Sequence, residues 1–310
     1  MNQFFMDLQT ITTFKSYVSP QFKLSQSQIC DYFGEDEQLR NKASNAIVSS
    51  TLKNLGYDHW IEYLNYIDLM VYEGDIIPGK GLELIVVLNL SKDTAVIAVY
   101  THINDEYIYS NSIKDIVPVK SLTFIKVPEH NYSFLVTEQI LDERFGAYYI
   151  DQFIEIFFYT ENKFKSVWRY SKFSQEVYNL RWTDSTADGN TWVKITENNG
   201  IEFTENMNLS INTTVIRQKF MAEKDSFPSD LDFHLVEEVL TGESFYWSPK
   251  YLLFVLKEGV EKDSMMPIAI IKDTSQLRES FMGIKSNSYK VKTDNGDILY
   301  LGKEMVIMDN

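Results

Sequence analysis

The sequence predicts a mainly β fold of antiparallel hairpins in a meander or blade-like core, with a helical N-terminal segment and a small C-terminal barrel. Three observations carry this expectation. From about residue 57 onward, apolar residues fall in strand-length runs rich in β-branched and aromatic side chains, such as Glu83-Leu84-Ile85-Val86-Val87-Leu88-Asn89-Leu90. Short polar turns separate successive runs, as hairpins require. Before residue 57 the apolar spacing is helical instead.

In chain order, residues 1–23 read as an extended lead-in with weak periodicity. Ser25-Gln26-Ser27-Gln28 supplies caps for a short helix. A second helix is predicted from about Glu35 to Asn54, with Leu39, Ala43, Ala46 and Ile47 at helical spacing. Glu35, Asp36 and Glu37 at its start, Lys53 near its end and Gly56 beyond it suit the helix dipole and the C-cap. Ser91-Lys92-Asp93 joins the first long apolar run to Thr94–Tyr100, and Leu122–Val127 follows as another strand. Phe153–Tyr159 and Phe164–Tyr170 form a hairpin around Thr160-Glu161-Asn162. A third hairpin is expected at Asn198-Asn199-Gly200, since Asn-Gly favours a primed turn. Ser229-Asp230 is expected to cap a short helix through Leu231, Leu235, Val236 and Leu240, ended by Gly242; strand character resumes at Tyr251–Leu256.

Composition narrows the classes of function. Over 310 residues, 44 acidic side chains against 29 basic ones give a formal charge of −15, which argues against a nucleic-acid partner. An apolar share of 44% excludes a disordered chain. The single cysteine, Cys30, excludes an intramolecular disulfide and a multi-cysteine zinc site, and it reads as a small core residue. No run approaches a membrane span, and Met1–Asp7 lacks the basic and apolar regions of a signal peptide. A soluble chain is expected, extracytoplasmic or at the cell surface if a leader has been removed and cytoplasmic otherwise.

Asp75-Ile76-Ile77-Pro78-Gly79-Lys80-Gly81-Leu82-Glu83, running into the strand that reaches residue 90, resembles a degenerate loop-and-strand unit of FG-GAP or integrin-type propeller repeats. The resemblance implies a propeller-like core. Asp75 and Glu83 match the first and last acidic positions, while Ile77 and Gly79 replace calcium-binding oxygens, so the segment reads as a Pro-Gly turn feeding a buried strand. Asp184, Thr186 and Asp188, in the loop to Asn190, form the candidate metal site, where a calcium ion would sit if one binds. Ile195 stands where an EF-hand needs its glutamate, and a polar turn is the competing reading. No other cofactor is implied. Asp142-Glu143-Arg144 is a charged cluster that reads as a structural clamp at a turn. The chain has no phosphate-binding loop, nucleophile elbow or His-Glu-x-x-His motif, so no catalytic residue is assigned.

Residues 266–310 resemble the SH3-like barrels of bacterial surface proteins, through Tyr289-Lys290-Val291-Lys292-Thr293 with Gly296, and through Lys303-Glu304-Met305-Val306. Such modules bind cell-wall peptides or mediate interactions. Ser286-Asn287-Ser288 replaces the Gly-Trp pair that many of them carry. Three regions are therefore expected: 1–66 lead-in and helices, 67–262 a central β-rich domain, and 263–310 the barrel. Trp168, Tyr170, Tyr178, Trp182, Tyr246 and Trp247 are the candidate ligand-binding residues, because an aromatic strip on a sheet can stack sugars or peptide side chains. The function read from these features is a non-enzymatic binding or scaffold protein with a protein, peptide or glycan partner. The alternatives are a hydrolase using Asp142, Glu143, Asp184 and Asp188, and a calcium-stabilised surface domain.

Overall fold

A computed structural model describes residues 22–143, 148–205, 208–276 and 286–308. The lead-in, apart from Phe22 and Lys23, and Arg144 of the charged cluster lie outside the described residues. The fold is mainly β, with helices at the N-terminal end and three antiparallel sheets.

Leu24–Ser25 (β1) leads into α1, Gln26–Phe33. The Ser25 hydroxyl accepts from the Gln28 N–H, and the Gln28 side chain accepts from the Ser25 N–H, a reciprocal capping box. Cys30 corrects the sequence reading. It is exposed, and Ile29 is the buried residue of α1. The next helix, α2 (Glu37–Leu55), starts at Asp36, whose carboxylate accepts from the Gln38 and Leu39 N–H groups. It stops at Gly56, whose φ of 76° is the left-handed conformation a helix C-cap uses. Ala43, Ile47, Val48, Leu52 and Leu55 make its buried stripe.

The first sheet joins β1 to β2 (Asp68–Gly74), β3 (Glu83–Asn89), β4 (Ala95–Ile103) and β5 (Glu106–Ile116), in the order β1-β5-β4-β3-β2. The unbroken apolar run of β3 is explained by burial on both faces. Leu84, Val86 and Leu88 pack with α2, while Ile85 and Val87 pack with Leu122, Leu135 and Phe157 of the second sheet.

The second sheet is a continuous meander of β6 (Val119–Lys126), β7 (Ser133–Glu143), β8 (Tyr148–Thr160), β9 (Lys163–Asn179), β10 (Thr191–Glu205), β11 (Leu209–Glu223), β12 (His234–Ser248) and β13 (Leu253–Val255). The β8–β9 reversal carries Glu161 and Asn162 at positive φ, as a primed hairpin turn needs. Laid flat, β7 and β12 would lie about 24 Å apart. Instead Phe134 of β7 meets Trp247 of β12 edge to face at 4.8 Å, so the sheet curls onto itself around Phe158, Trp168, Phe245 and Phe254.

Two predicted elements differ here. The Asn198-Asn199-Gly200 segment is extended strand: all three residues pair with β11, and the reversal falls beyond Glu205. A turn at Gly200 would have halved a fifteen-residue ladder, and Gly200 is not among the positive-φ glycines. The expected helix after Ser229 is limited to a 3₁₀ turn over Asp230–Asp232, and His234–Ser248 is a strand paired along β11. Gly242 therefore lies within β12 rather than at a helix end.

The third sheet has the order β17-β16-β15-β14-β18, from β14 (Lys257–Glu261), β15 (Pro267–Asp273), β16 (Ser288–Thr293), β17 (Ile298–Gly302) and β18 (Val306–Met308). Gly296, at φ 93°, makes the β16–β17 turn, and a 3₁₀ turn over Lys303–Met305 brings β18 back onto β14. Ile268, Ile270 and Val291 form its core.

Candidate functional site

A cleft of about 510 Å³ lies between the inner side of the curled second sheet and the third sheet, within the size range of small-ligand sites. Trp168, Tyr170, Ser171 and Ser174 enter it from β9, Glu197 and Asn199 from β10, Arg217 from β11, and Glu243 and Phe245 from β12. Ile271, Lys272, Asp273 and Lys290 come from β15 and β16. The local reason is a change in the inward-facing positions along each strand. On β11, Leu209 and Ile211 give way to Thr213, Val215 and Arg217, all buried, with Asn212, Thr214 and Ile216 facing out. The inner face thus turns from apolar to polar as it leaves the aromatic core.

Its geometry is tightly cross-linked. Trp168 and Tyr170 are stacked at 5.4 Å with ring planes 8° apart, and Phe245 meets both rings edge-on. The Tyr170 hydroxyl donates to Glu243 Oε2 at 2.9 Å. Thr213 Oγ1 lies 3.4 Å from that hydroxyl and 3.3 Å from the Glu243 carbonyl oxygen. Arg217 and Glu197 are directly opposite on neighbouring strands, and Arg217 Nε donates to Glu197 Oε1 at 2.5 Å with both side chains largely buried. Asn199 Nδ2 donates to the Ser171 carbonyl at 2.7 Å. Trp168 Nε1 and Asn199 Oδ1 are buried without a hydrogen-bond partner among the described residues, a cost of about 1–3 kcal/mol for each group.

Burial raises the Glu243 carboxyl above the ordinary glutamate range, although the Tyr170 hydroxyl and the charge of Lys272 act in the opposite direction. Tyr170 is raised as well, by burial and then by the charge of Glu243, so its phenol stays protonated and donates. Burial opposes the charge of Asp273, but hydrogen bonds from Lys303 and Ser275 together hold its carboxyl below the usual range. This combination of aromatic wall, fixed polar groups and buried carboxyl can orient a polar ligand that also has an apolar face.

The structure separates the six aromatic candidates. Trp168 and Tyr170 line the cleft. Trp247 is in the aromatic core of the second sheet, Tyr178 packs with Val193 and Ile195, and Tyr246 packs with Tyr251 and Val255. Trp182 is 58% exposed and meets Trp192 edge-on, away from the cleft. At the candidate metal loop, Asp184 Oδ1 accepts from both the backbone N–H and the hydroxyl of Thr186, which lowers the carboxyl's pKa. Asp188 is exposed, and no group of three His, Cys, Asp or Glu among the described residues is placed to hold a metal. Glu83 accepts from the Ile76 and Ile77 N–H groups, bracing the Pro-Gly turn that precedes β3. Asp142, Glu143, Asp184 and Asp188 do not line the cleft.

Sequence reasoning missed Glu197, Asn199, Arg217, Glu243, Lys272 and Lys290. No motif joins them, since they come from five strands. The available signal was polar residues at inward positions of otherwise alternating strands.

Among the described residues, no helix is long and apolar enough to cross a membrane. No family model and no curated protein matches the chain. Among solved structures it is similar to the Nup133 β-propeller domain of Vanderwaltozyma polyspora, at 14% identity with a TM-score of 0.23. That likeness covers 78% of this chain and 56% of the other, and at this score it carries no argument about function.

Proposed function

We propose that this chain is a non-enzymatic binding protein that recognises a protein, peptide or glycan partner by taking a polar segment of it into the cleft. The observation that carries this reading is the meeting, in one concavity, of the Trp168–Tyr170 stack, the Tyr170–Glu243 hydrogen bond and the buried Arg217–Glu197 pair. Ligand sites combine apolar walls with a few fixed polar groups in this way. A scaffold role suits the rest of the molecule, in which broad antiparallel sheets hold those groups on strands rather than on loops.

The test is a glycan and peptide array probed with the full chain and with Glu243→Gln. Enrichment of a ligand class that weakens in the variant supports the proposal. An array with no enriched ligand, or one unchanged by the substitution, counts against it. The cleft holds a second carboxylate, Glu197, in addition to the raised carboxyl of Glu243, which is the observation that favours hydrolysis instead. Turnover of an enriched glycan by the parent chain and not by Glu243→Gln would establish that second reading.

A further inference from the structure

The basic residues of the cleft differ in how they are satisfied. Arg217 is paired with Glu197, and the Arg169 guanidinium lies over the Phe153 ring at 3.7 Å. Asp273 is taken by Lys303 at 2.7 Å. Lys272 and Lys290, by contrast, are cross-strand partners on β15 and β16, next to the register shift that follows Ile270. Like charges placed opposite each other on neighbouring strands are destabilising. Among the described residues neither lysine has an ion-pair partner within 4 Å or a side-chain hydrogen bond. Acids do line the same cleft, and the charge of Lys272 is felt at Glu243, but Glu197 and Asp273 are engaged by Arg217 and Lys303, and among the described residues no carboxylate comes within ion-pair distance of either lysine.

The rest of the lining states what else the ligand carries. Ser171 and Ser174 present hydroxyls, and the Glu243 carboxylate keeps Oε1 without a partner among the described residues while Oε2 takes the Tyr170 hydroxyl. Those groups suit hydroxyls of a ligand. Tyr149 and Tyr170, both half-buried, offer aromatic surface to the apolar face of a ring. A phosphate-rich polymer is disfavoured by Glu197, Glu243 and the acidic chain around them.

We infer that the cleft takes an anionic glycan, with an acidic group of the sugar held between Lys272 and Lys290 and sugar hydroxyls directed to the Glu243 side. This rests on the binding reading above and specifies its ligand class. The lysine pair then has a purpose in the free protein. It is a preformed anion site, kept open at a cost in sheet stability.

The full chain is titrated calorimetrically with three probes: a galacturonic acid trisaccharide, its methyl ester, and a Glu-rich hexapeptide. The acid is expected to bind at least about tenfold more tightly than the neutral ester, a ratio that the double variant Lys272→Gln/Lys290→Gln abolishes. That variant should keep or raise the unfolding midpoint, because a like-charge contact is removed. Equal binding of acid and ester, tighter binding of the peptide, no binding of any probe, or a ratio that survives in the double variant would each overturn the inference. If the ester binds as well as the acid and Glu243→Gln weakens both, the cleft stands as a binding site and the anionic specificity alone falls.

Discussion

Glu243 shows how a single residue links the site to the stability of the fold. Its carboxyl is raised in the folded chain, with burial as the leading cause, so over a span of pH above the ordinary glutamate value the native state keeps a proton that the unfolded state has released. Stability therefore falls as pH rises through that window, and the penalty is fully present above the folded pKa. Glu243→Gln keeps a carbonyl acceptor for Tyr170 and removes the charge. Urea midpoints measured from about pH 4 to pH 7 should show the variant gaining on the parent chain as pH rises. A midpoint difference that does not change with pH would sink this assignment. Glu83, also raised by burial, gives both proteins a slope of the same sign, so the difference between them isolates Glu243. None of this was legible from Glu243 in the sequence, where it is one of 44 acids between Gly242 and Ser244. Trp168 and Tyr170 were legible, because their two-residue spacing on a strand puts both rings on one face. Trp247 fits the same aromatic pattern but fills the core. Aromatic composition alone does not separate a wall from a floor.

At the scale of elements, what could be read was what short-range chemistry decides. The caps of α1 and α2 lie within a few residues of their partners, and the β3–β4 and β8–β9 hairpins are formed by neighbouring runs with short turns. The misread elements are those in which a distant partner overrides a local signal. Leu231, Leu235, Val236 and Leu240 mimic helical spacing, but β11 pairs with the segment from His234 onward and leaves Leu231 and Leu240 exposed. Asn199-Gly200 has turn chemistry, yet β11 holds it extended. The third sheet gives a test of such distant pairing. A Cβ at Gly259 would run into the Ile307 carbonyl of the facing strand, a backbone atom that cannot rotate away. Gly259→Ala should therefore loosen β18 from β14 and lower stability by about 1–3 kcal/mol, the cost of overpacking. Amide exchange at Val306–Met308 should rise well above that at β15. Unchanged protection of β18 would show that the strand pair shifts to accommodate the methyl group.

For the whole molecule, charge acts on stability and on the proposed site with opposite signs. The excess of acids makes the folded chain repel itself, and exposed ion pairs such as Lys23–Glu106 and Lys165–Glu161, screened by the surrounding water, contribute too little to offset it. Raising the ionic strength from about 0.01 M to about 0.15 M shortens the screening length from roughly 30 Å to roughly 8 Å, so repulsion across the molecule is weakened while the buried Arg217–Glu197 pair is hardly affected. The melting temperature is expected to rise over that interval. Lys272 and Lys290 stand in the opposite position, since their attraction for an acidic sugar works across solvent-accessible space and is screened by the same salt. Affinity for the galacturonic acid trisaccharide should thus fall as stability rises. A fold held mainly by surface ion pairs would show the melting temperature falling together with affinity. A cleft that binds its ligand by apolar contact alone would show affinity indifferent to salt. The divergence of the two curves, measured on one preparation, separates the charge that keeps the chain apart from other anions from the two lysines positioned to admit one.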